Sequence, residues 1–214
     1  KTFTNCINFN TNLSKWNPNK VTNMISTFEN CTNFTGDGLE AWNVTDVEYM
    51  NRTFTNCNNF NTNLSKWNVS NVDYMNSIFE NCTSFTGNGL ENWDVSNVQN
   101  MNSIFENCTS FTGNGLENWD VSNVQNMENT FLDCNSFNIN LSKWDVSNVD
   151  SMNSTFENCT NFTGDGLENW TTDNLKNMNS TFKNCNSFNI NLSKWNVSNV
   201  DYMNRDRKST RLNS

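Results

Sequence analysis

Apolar residues recur along this chain in a fixed register, L-x-x-W-x-V-x-x-V-x-x-M-x-x-x-F-x-x-C-x-x-F, with polar residues filling the gaps. One copy places Leu39, Trp42, Val44, Val47, Met50, Phe54, Cys57 and Phe60 in that order. The tryptophans Trp16, Trp42, Trp67, Trp93, Trp119, Trp144, Trp170 and Trp195 step by 25 or 26 residues. Cysteines from Cys6 to Cys185 and methionines from Met24 to Met203 keep the same step. Residues 76–101 are even repeated letter for letter at 102–127. A period of this size marks a solenoid, whose coils bury their apolar sides only against neighbours, so a coil can be added without changing the cross-section.

Within a coil, Val47, Met50, Phe54 and Cys57 are spaced three, four and three apart. That spacing predicts one face of a helix, with Thr45, Ser70 and Ser96 placed ahead of it as N-caps. The segment L-x-x-W-x-V, with Trp and Val two apart, predicts a short parallel strand with one face inward. The expected fold is an α/β repeat solenoid, a stack of strand–helical-turn coils carrying a parallel sheet. Ordinary crossover chirality makes the stack right-handed. Asn precedes Cys in seven of the eight coils, Asp133 being the exception. These residues are expected either to close the helix or to form a ladder bonding the backbone of the next coil.

Two loop types lead from Phe to Trp: a short one, "NTNLSKW" or "NINLSKW", and one a residue longer, "TGDGLEAW" or "TGNGLENW". They mostly alternate, and the verbatim copy sets two long loops side by side. Lys15, Lys66, Lys143 and Lys194 mark the short loops, whereas Glu40, Glu91, Glu117 and Glu168 mark the long ones. Stacking is therefore expected to set Lys beside Glu along one edge, where exposed pairs contribute only ~0.2–1 kcal/mol each.

Composition fits this pattern. An apolar content of 35% with a mean hydropathy of −0.73 would border on disorder if scattered; concentrated at inward positions, it supplies a continuous core. The 50 Asn crowd turn positions, and there is no His and a single proline, Pro18. The segment "DRKSTRLNS" at 206–214 breaks the repeat, is basic where the chain is acidic, and reads as a translated sequencing-library adapter. One repeat domain is expected over 1–204, cut at both ends, followed by a non-native tail over 205–214. Without 206–214 the net charge moves from −9 to −11.

Candidate chemistry is sparse. Eight cysteines lack the C-x-x-C spacing of a zinc site. Disulfides between neighbouring coils remain open, but a buried thiol ladder, one small apolar residue per coil, is the favoured reading. Asp37 and Asp165 are replaced by Asn88 and Asn114 in sister coils, which argues against calcium, and the glycines of "TGDGLE" lack a phosphate-loop lysine. No metal or cofactor is expected. No His, no nucleophile with a base and no unique polar position speak for an enzyme. The acidic balance speaks against nucleic acid. The "NLS" sequons at Asn12, Asn63, Asn140 and Asn191 lie in loops and are the candidate glycosylation sites.

Read together, these coils resemble the BspA-like leucine-rich repeats, in the branch found in mycoplasma surface proteins. "WDVSNVQNMNSIFENCTSF" at 93–111 carries the resemblance, which extends over 1–204. Departures are Pro18 and Thr172 in place of the Val two after Trp, and Leu175 in place of the next Val. The resemblance implies a secreted or cell-surface repeat protein assigned to adhesion or protein binding, with no catalytic residues to transfer. The leading expectation is an extracellular scaffold for a protein or glycan ligand; the alternative is a fibre or stalk subunit built by self-association. The position seven after Trp discriminates between them. It varies through Asn23, Tyr49, Tyr74, Asn100, Asn126, Ser151, Asn177 and Tyr202, and its tyrosines Tyr49, Tyr74 and Tyr202 are the candidate binding residues.

Overall fold

The computed structural model describes residues 2–204. The expected tail at 205–214 and its adapter reading lie outside the described residues. Successive copies of the register lie against one another and share backbone hydrogen bonds. The amides of Met24, Ser26, Phe28 and Asn30 donate to the carbonyls of Tyr49, Asn51, Thr53 and Thr55 in the next copy, at 2.8–3.0 Å. The amides between them turn back inside the coil: Thr27 to Met24 at 3.1 Å, Cys31 to Phe28 at 3.0 Å, and Phe34 to Cys31 at 3.0 Å. The next coil repeats this alternation, from Met50 donating to Tyr74 through Asn56 donating to Glu80.

This corrects the helix expected over V-x-x-M-x-x-x-F-x-x-C. Among the described residues the regular elements are three short 3-10 turns, Leu39–Ala41, Leu90–Asn92 and Leu167–Asn169, and no α-helix occurs. An α-helix would need those same amides for bonds four residues back, but every second one is committed to the neighbouring coil. Each coil also holds two residues in the left-handed region, such as Ser103 at φ 55° and Asn107 at φ 56°, which a helix interior does not accept. Consecutive three-residue turns bring Met, Phe and Cys inward at helix-like intervals. Thr45, Ser70 and Ser96 consequently cap nothing; their amides donate to the side-chain Oδ1 of Asn43, Asn68 and Asp94, each at 3.1 Å, forming Asx turns.

Nor is L-x-x-W-x-V a strand, because the Trp42 amide closes a turn onto the Leu39 carbonyl at 3.0 Å. Parallel pairing falls instead on isolated bridges at the seventh position after Trp: Asn23–Tyr49, Tyr49–Tyr74, Asn100–Asn126, Asn126–Ser151, Ser151–Asn177 and Asn177–Tyr202.

One apolar cluster runs from Leu13 to Trp195. At its centre the phenylalanines stack between coils, Phe28 on Phe54 at 5.6 Å and Phe54 on Phe79 at 5.8 Å, within 4° of parallel. The indoles stack likewise, Trp67 on Trp93 at 6.5 Å. Burial is supplied by the neighbour: Trp42, lying against the coil before it, is 5% exposed, and its indole N–H reaches the Leu13 carbonyl there at 3.2 Å. Every buried indole N–H finds a partner in the preceding coil, Trp67 reaching the Leu39 carbonyl at 2.8 Å and Trp119 the Leu90 carbonyl at 2.9 Å.

The asparagines before cysteine form a ladder, but from side chain to side chain and not onto the backbone of the next coil as expected, because the counterpart amide lies directly in register. Asn56 donates to Asn30 at 2.6 Å, Asn81 to Asn56 at 2.7 Å and Asn107 to Asn81 at 2.8 Å. All of them are left-handed, with φ near 60°, a conformation Asn tolerates better than other side chains. Asp133 interrupts the series. It accepts from Asn158 at 2.5 Å, but a carboxylate has no N–H to offer Asn107. Burial pushes the neighbouring Glu106 carboxyl above its ordinary value, the charges of Glu80 and Asp133 push the same way, and hydrogen bonds from Ser103 and Asn129 oppose them. Asp133→Asn is therefore expected to complete the ladder and stabilise the chain by about 0.5–1.5 kcal/mol. It should also lower the titration midpoint of Glu106. Urea midpoints and carboxyl chemical shifts across a pH series check both effects.

The Lys–Glu edge does not form. Among the described residues the ion pairs are Arg52–Glu29, Lys176–Asp150 and Lys183–Glu157. Glu40, Glu117 and Glu168 instead accept from the amides of Gly38, Gly115 and Gly166 in their own loops, and Lys143 donates to Asn118 at 2.7 Å. A fixed amide two residues away orders the carboxylate at less entropic cost than a long lysine on the next coil.

Candidate functional site

The face that carries the bridges also carries the chain's most variable outward chemistry. Its rim is set by asparagines four after Trp, which act as staples: Asn97 donates to the Ser70 carbonyl, Asn123 to Ser96 and Asn148 to Ser122, each at 2.8 Å. With the rim fixed, the residues six and seven after Trp form two columns, in which every member but Ser151 is at least partly exposed. The first column reads Thr22, Glu48, Asp73, Gln99, Gln125, Asp150, Lys176 and Asp201.

The second column contains the three candidate tyrosines, and the structure brings two of them together. Tyr49 and Tyr74 stack with centroids 5.3 Å apart and planes 5° from parallel. Tyr202 stands apart at the far end, bridged to Asn177 and 60% exposed. Beyond Tyr74 the face opens into a cleft of about 350 Å³, lined by Asp73 and Tyr74 of one coil, Asn97, Gln99 and Asn100 of the next, and Gln125 and Asn126 of the one after. A second hollow of about 210 Å³ follows along the same face, where Lys176 pairs with Asp150 at 3.5 Å.

Sequence reasoning missed the amides of this cleft. A signal was available, since Gln99 and Gln125 are the only glutamines in the chain and occupy equivalent positions in adjacent coils.

The four sequon asparagines lie elsewhere, on the short loops. Asn12, Asn63, Asn140 and Asn191 are all exposed, and each accepts the amide of the sequon serine at 2.9 Å through its side-chain oxygen. Asp37 and Asp165 offer backbone carbonyls to the amides of Leu13 and Leu141, both at 2.9 Å. Among the described residues no three acidic or thiol side chains gather as a metal site, and no helix is long and apolar enough to cross a membrane.

The thiols form a column of their own. Cys6 is exposed and the other seven cysteines are buried. Cys57 donates its S–H to the Phe28 carbonyl of the preceding coil at 3.0 Å, Cys108 to Phe79 at 3.0 Å and Cys134 to Phe105 at 2.9 Å. Burial pushes Cys57, Cys82, Cys108, Cys134 and Cys159 far above the ordinary thiol range. Buried in this way, they pack as small apolar groups with the protonated thiol favoured.

The architecture is that of a tandem-repeat protein. A model of the family described as "Mycoplasma protein of unknown function, DUF285" matches residues 1–114, 84–167 and 104–212, and the chain belongs to that family. The overlapping matches follow from the repeat. No curated protein matches the chain. Among solved structures, "Crystal structure of TLR13-ssRNA13 complex" aligns at 8% identity with a TM-score of 0.18, covering 88% of this chain. The chain spans 35% of that structure's length.

Proposed function

We propose that the chain is a solenoid of the BspA-like leucine-rich-repeat kind, displayed outside the cell, whose bridge face binds a protein or glycan partner without catalysing a reaction. The observation that carries this reading is where variation sits. The inward register hardly changes, while outward positions six and seven after Trp mix acid, amide, lysine and tyrosine over a scaffold held by backbone bonds. Such a face presents chemistry at the fixed spacing of the coils, as interaction solenoids do. Its stacked tyrosines supply rigid amphipathic contact area.

Two measurements test it together. Protease treatment of intact cells carrying the gene is expected to cleave the protein, and the purified chain is expected to bind host-cell surfaces as a monomer. Replacing Tyr49 and Tyr74 by Ser should reduce that binding about tenfold, the cost of roughly 1.4 kcal/mol of lost contact. Protection of the protein inside intact cells would overturn the surface reading. Filaments in sedimentation and electron microscopy, with binding indifferent to the tyrosines, would establish the fibre subunit instead.

A further inference from the structure

In the column seven after Trp, Asn23 is followed by two stacked rings, Tyr49 and Tyr74, and there the rings stop. Tyr74 has Tyr49 on one side, but the next position holds Asn100, too short to cover the ring, and Tyr74 stays 49% exposed. The bridge ladder lapses at this same step. Met50 donates to the Tyr74 carbonyl at 2.7 Å and Met101 to the Asn126 carbonyl at 2.9 Å, yet among the described residues no equivalent bond joins Met75 to Asn100. The 350 Å³ cleft opens where ring column and ladder both lapse.

We propose that this cleft binds a neutral pyranose sugar, whose ring takes the place of the missing third rung against the free face of Tyr74; this rests on the reading of the bridge face as a binding surface. A pyranose presents a flat C–H face that packs on an aromatic ring, and around its edge hydroxyls that both donate and accept. The walls match that demand. The side-chain amides of Gln99 and Gln125 each offer donors and an acceptor, and neither makes a hydrogen bond to the protein among the described residues. Asp73 adds a carboxylate acceptor, and no cationic side chain lines the cleft. The lining disfavours phosphorylated, sialylated or sulfated ligands, because an anion would meet Asp73 with no compensating charge. The volume lies at the small end of ligand pockets, the size of a mono- or disaccharide.

Calorimetric titration of the purified chain with methyl glucoside, methyl galactoside, lactose and maltose tests this. At least one is expected to bind with a dissociation constant below about 10 mM, with sialyllactose weaker than lactose. Tyr74→Ala should weaken binding about tenfold or more, and Gln99→Ala with Gln125→Ala about fivefold. Asn100→Tyr should continue the ring column into the cleft and abolish binding. For each variant, an unchanged urea midpoint and continued protection of the inner cysteines from alkylation show that the stack is intact. No binding by any of these sugars, wild-type affinity in Tyr74→Ala, or tighter binding of adenosine than of every sugar would overturn the proposal. Host-cell binding by a chain that takes no sugar would leave the surface scaffold standing and remove the saccharide alone.

Discussion

Raising the pH from 8 to 10.5 is expected to unfold this protein well before its backbone or its ion pairs would give way. Cys57, Cys82, Cys108, Cys134 and Cys159 are buried among phenylalanines, and desolvation raises all five in the folded state. In the unfolded chain a thiol titrates near its ordinary value, about 8.5. The sign follows: below that value both states hold the proton, and the full stability is present. Above it the unfolded chain releases protons that the folded chain retains, so stability falls as the pH rises toward the folded-state values. Each thiol removes about 1.4 kcal/mol per pH unit. Several acting together exhaust a typical stability of about 5–15 kcal/mol within two units.

Urea midpoints taken at intervals across this range measure the slope, and Cys108→Ala should make it shallower by one thiol's share. That substitution itself costs about 1–2 kcal/mol for the small cavity and the lost S–H bond to Phe79. At pH 7.5 an alkylating reagent should reach Cys6 and spare the buried column. Stability that is flat to pH 10.5, or a slope unchanged in Cys108→Ala, would refute the thiol account.

The second large effect separates two glycines that look identical in sequence. Gly89 and Gly115 both end "TGNG", and both have positive φ, 95° and 98°. A Cβ on Gly89 would stand 2.2 Å from the Ser65 amide nitrogen and 2.6 Å from that of Leu64. This is backbone, which cannot rotate away. On Gly115 the nearest atom would be the Glu91 nitrogen at 2.9 Å. Gly89 faces a short loop that tucks beneath it, where Leu64 donates to the Asn88 carbonyl at 3.0 Å. Gly115 faces another long loop, set there by the duplicated segment.

Gly89→Ala therefore incurs both conformational strain and a clash between coils, about 3–5 kcal/mol in all, whereas Gly115→Ala incurs chiefly the strain, about 1–3 kcal/mol. Comparing their urea midpoints by tryptophan fluorescence, together with exchange of the Leu64 amide, decides the point. Equal losses would mean that close approach of the loops is not what requires glycine at Gly89.

These glycines also show how far the sequence could be read. Periodicity alone identified the inward residues, because burial depends only on which side chains return to the same side of each coil. Met50, Phe54, Cys57 and Phe60 are all buried as that spacing requires. The regular asparagine before cysteine suggests a ladder but not its acceptor: the side chains bond one another, Asn81 to Asn56 and Asn107 to Asn81, and not the backbone of the next coil. The choice between helix and turns was not legible. Residues three and four apart face one way in both, and what distinguishes them is where each amide finds its acceptor.

That acceptor belongs to another coil. Met24, Ser26, Phe28 and Asn30 send their amides to residues 25 positions onward, a competition no local segment contains. The bridge face divides in the same way. Its outward residues and its exposed tyrosines are written in the sequence, as is the uniqueness of Gln99 and Gln125. The stacking of Tyr49 on Tyr74, the lapse between Tyr74 and Asn100 and the cleft they leave were decided by tertiary structure alone, because each is a relation between coils stacked edge to edge.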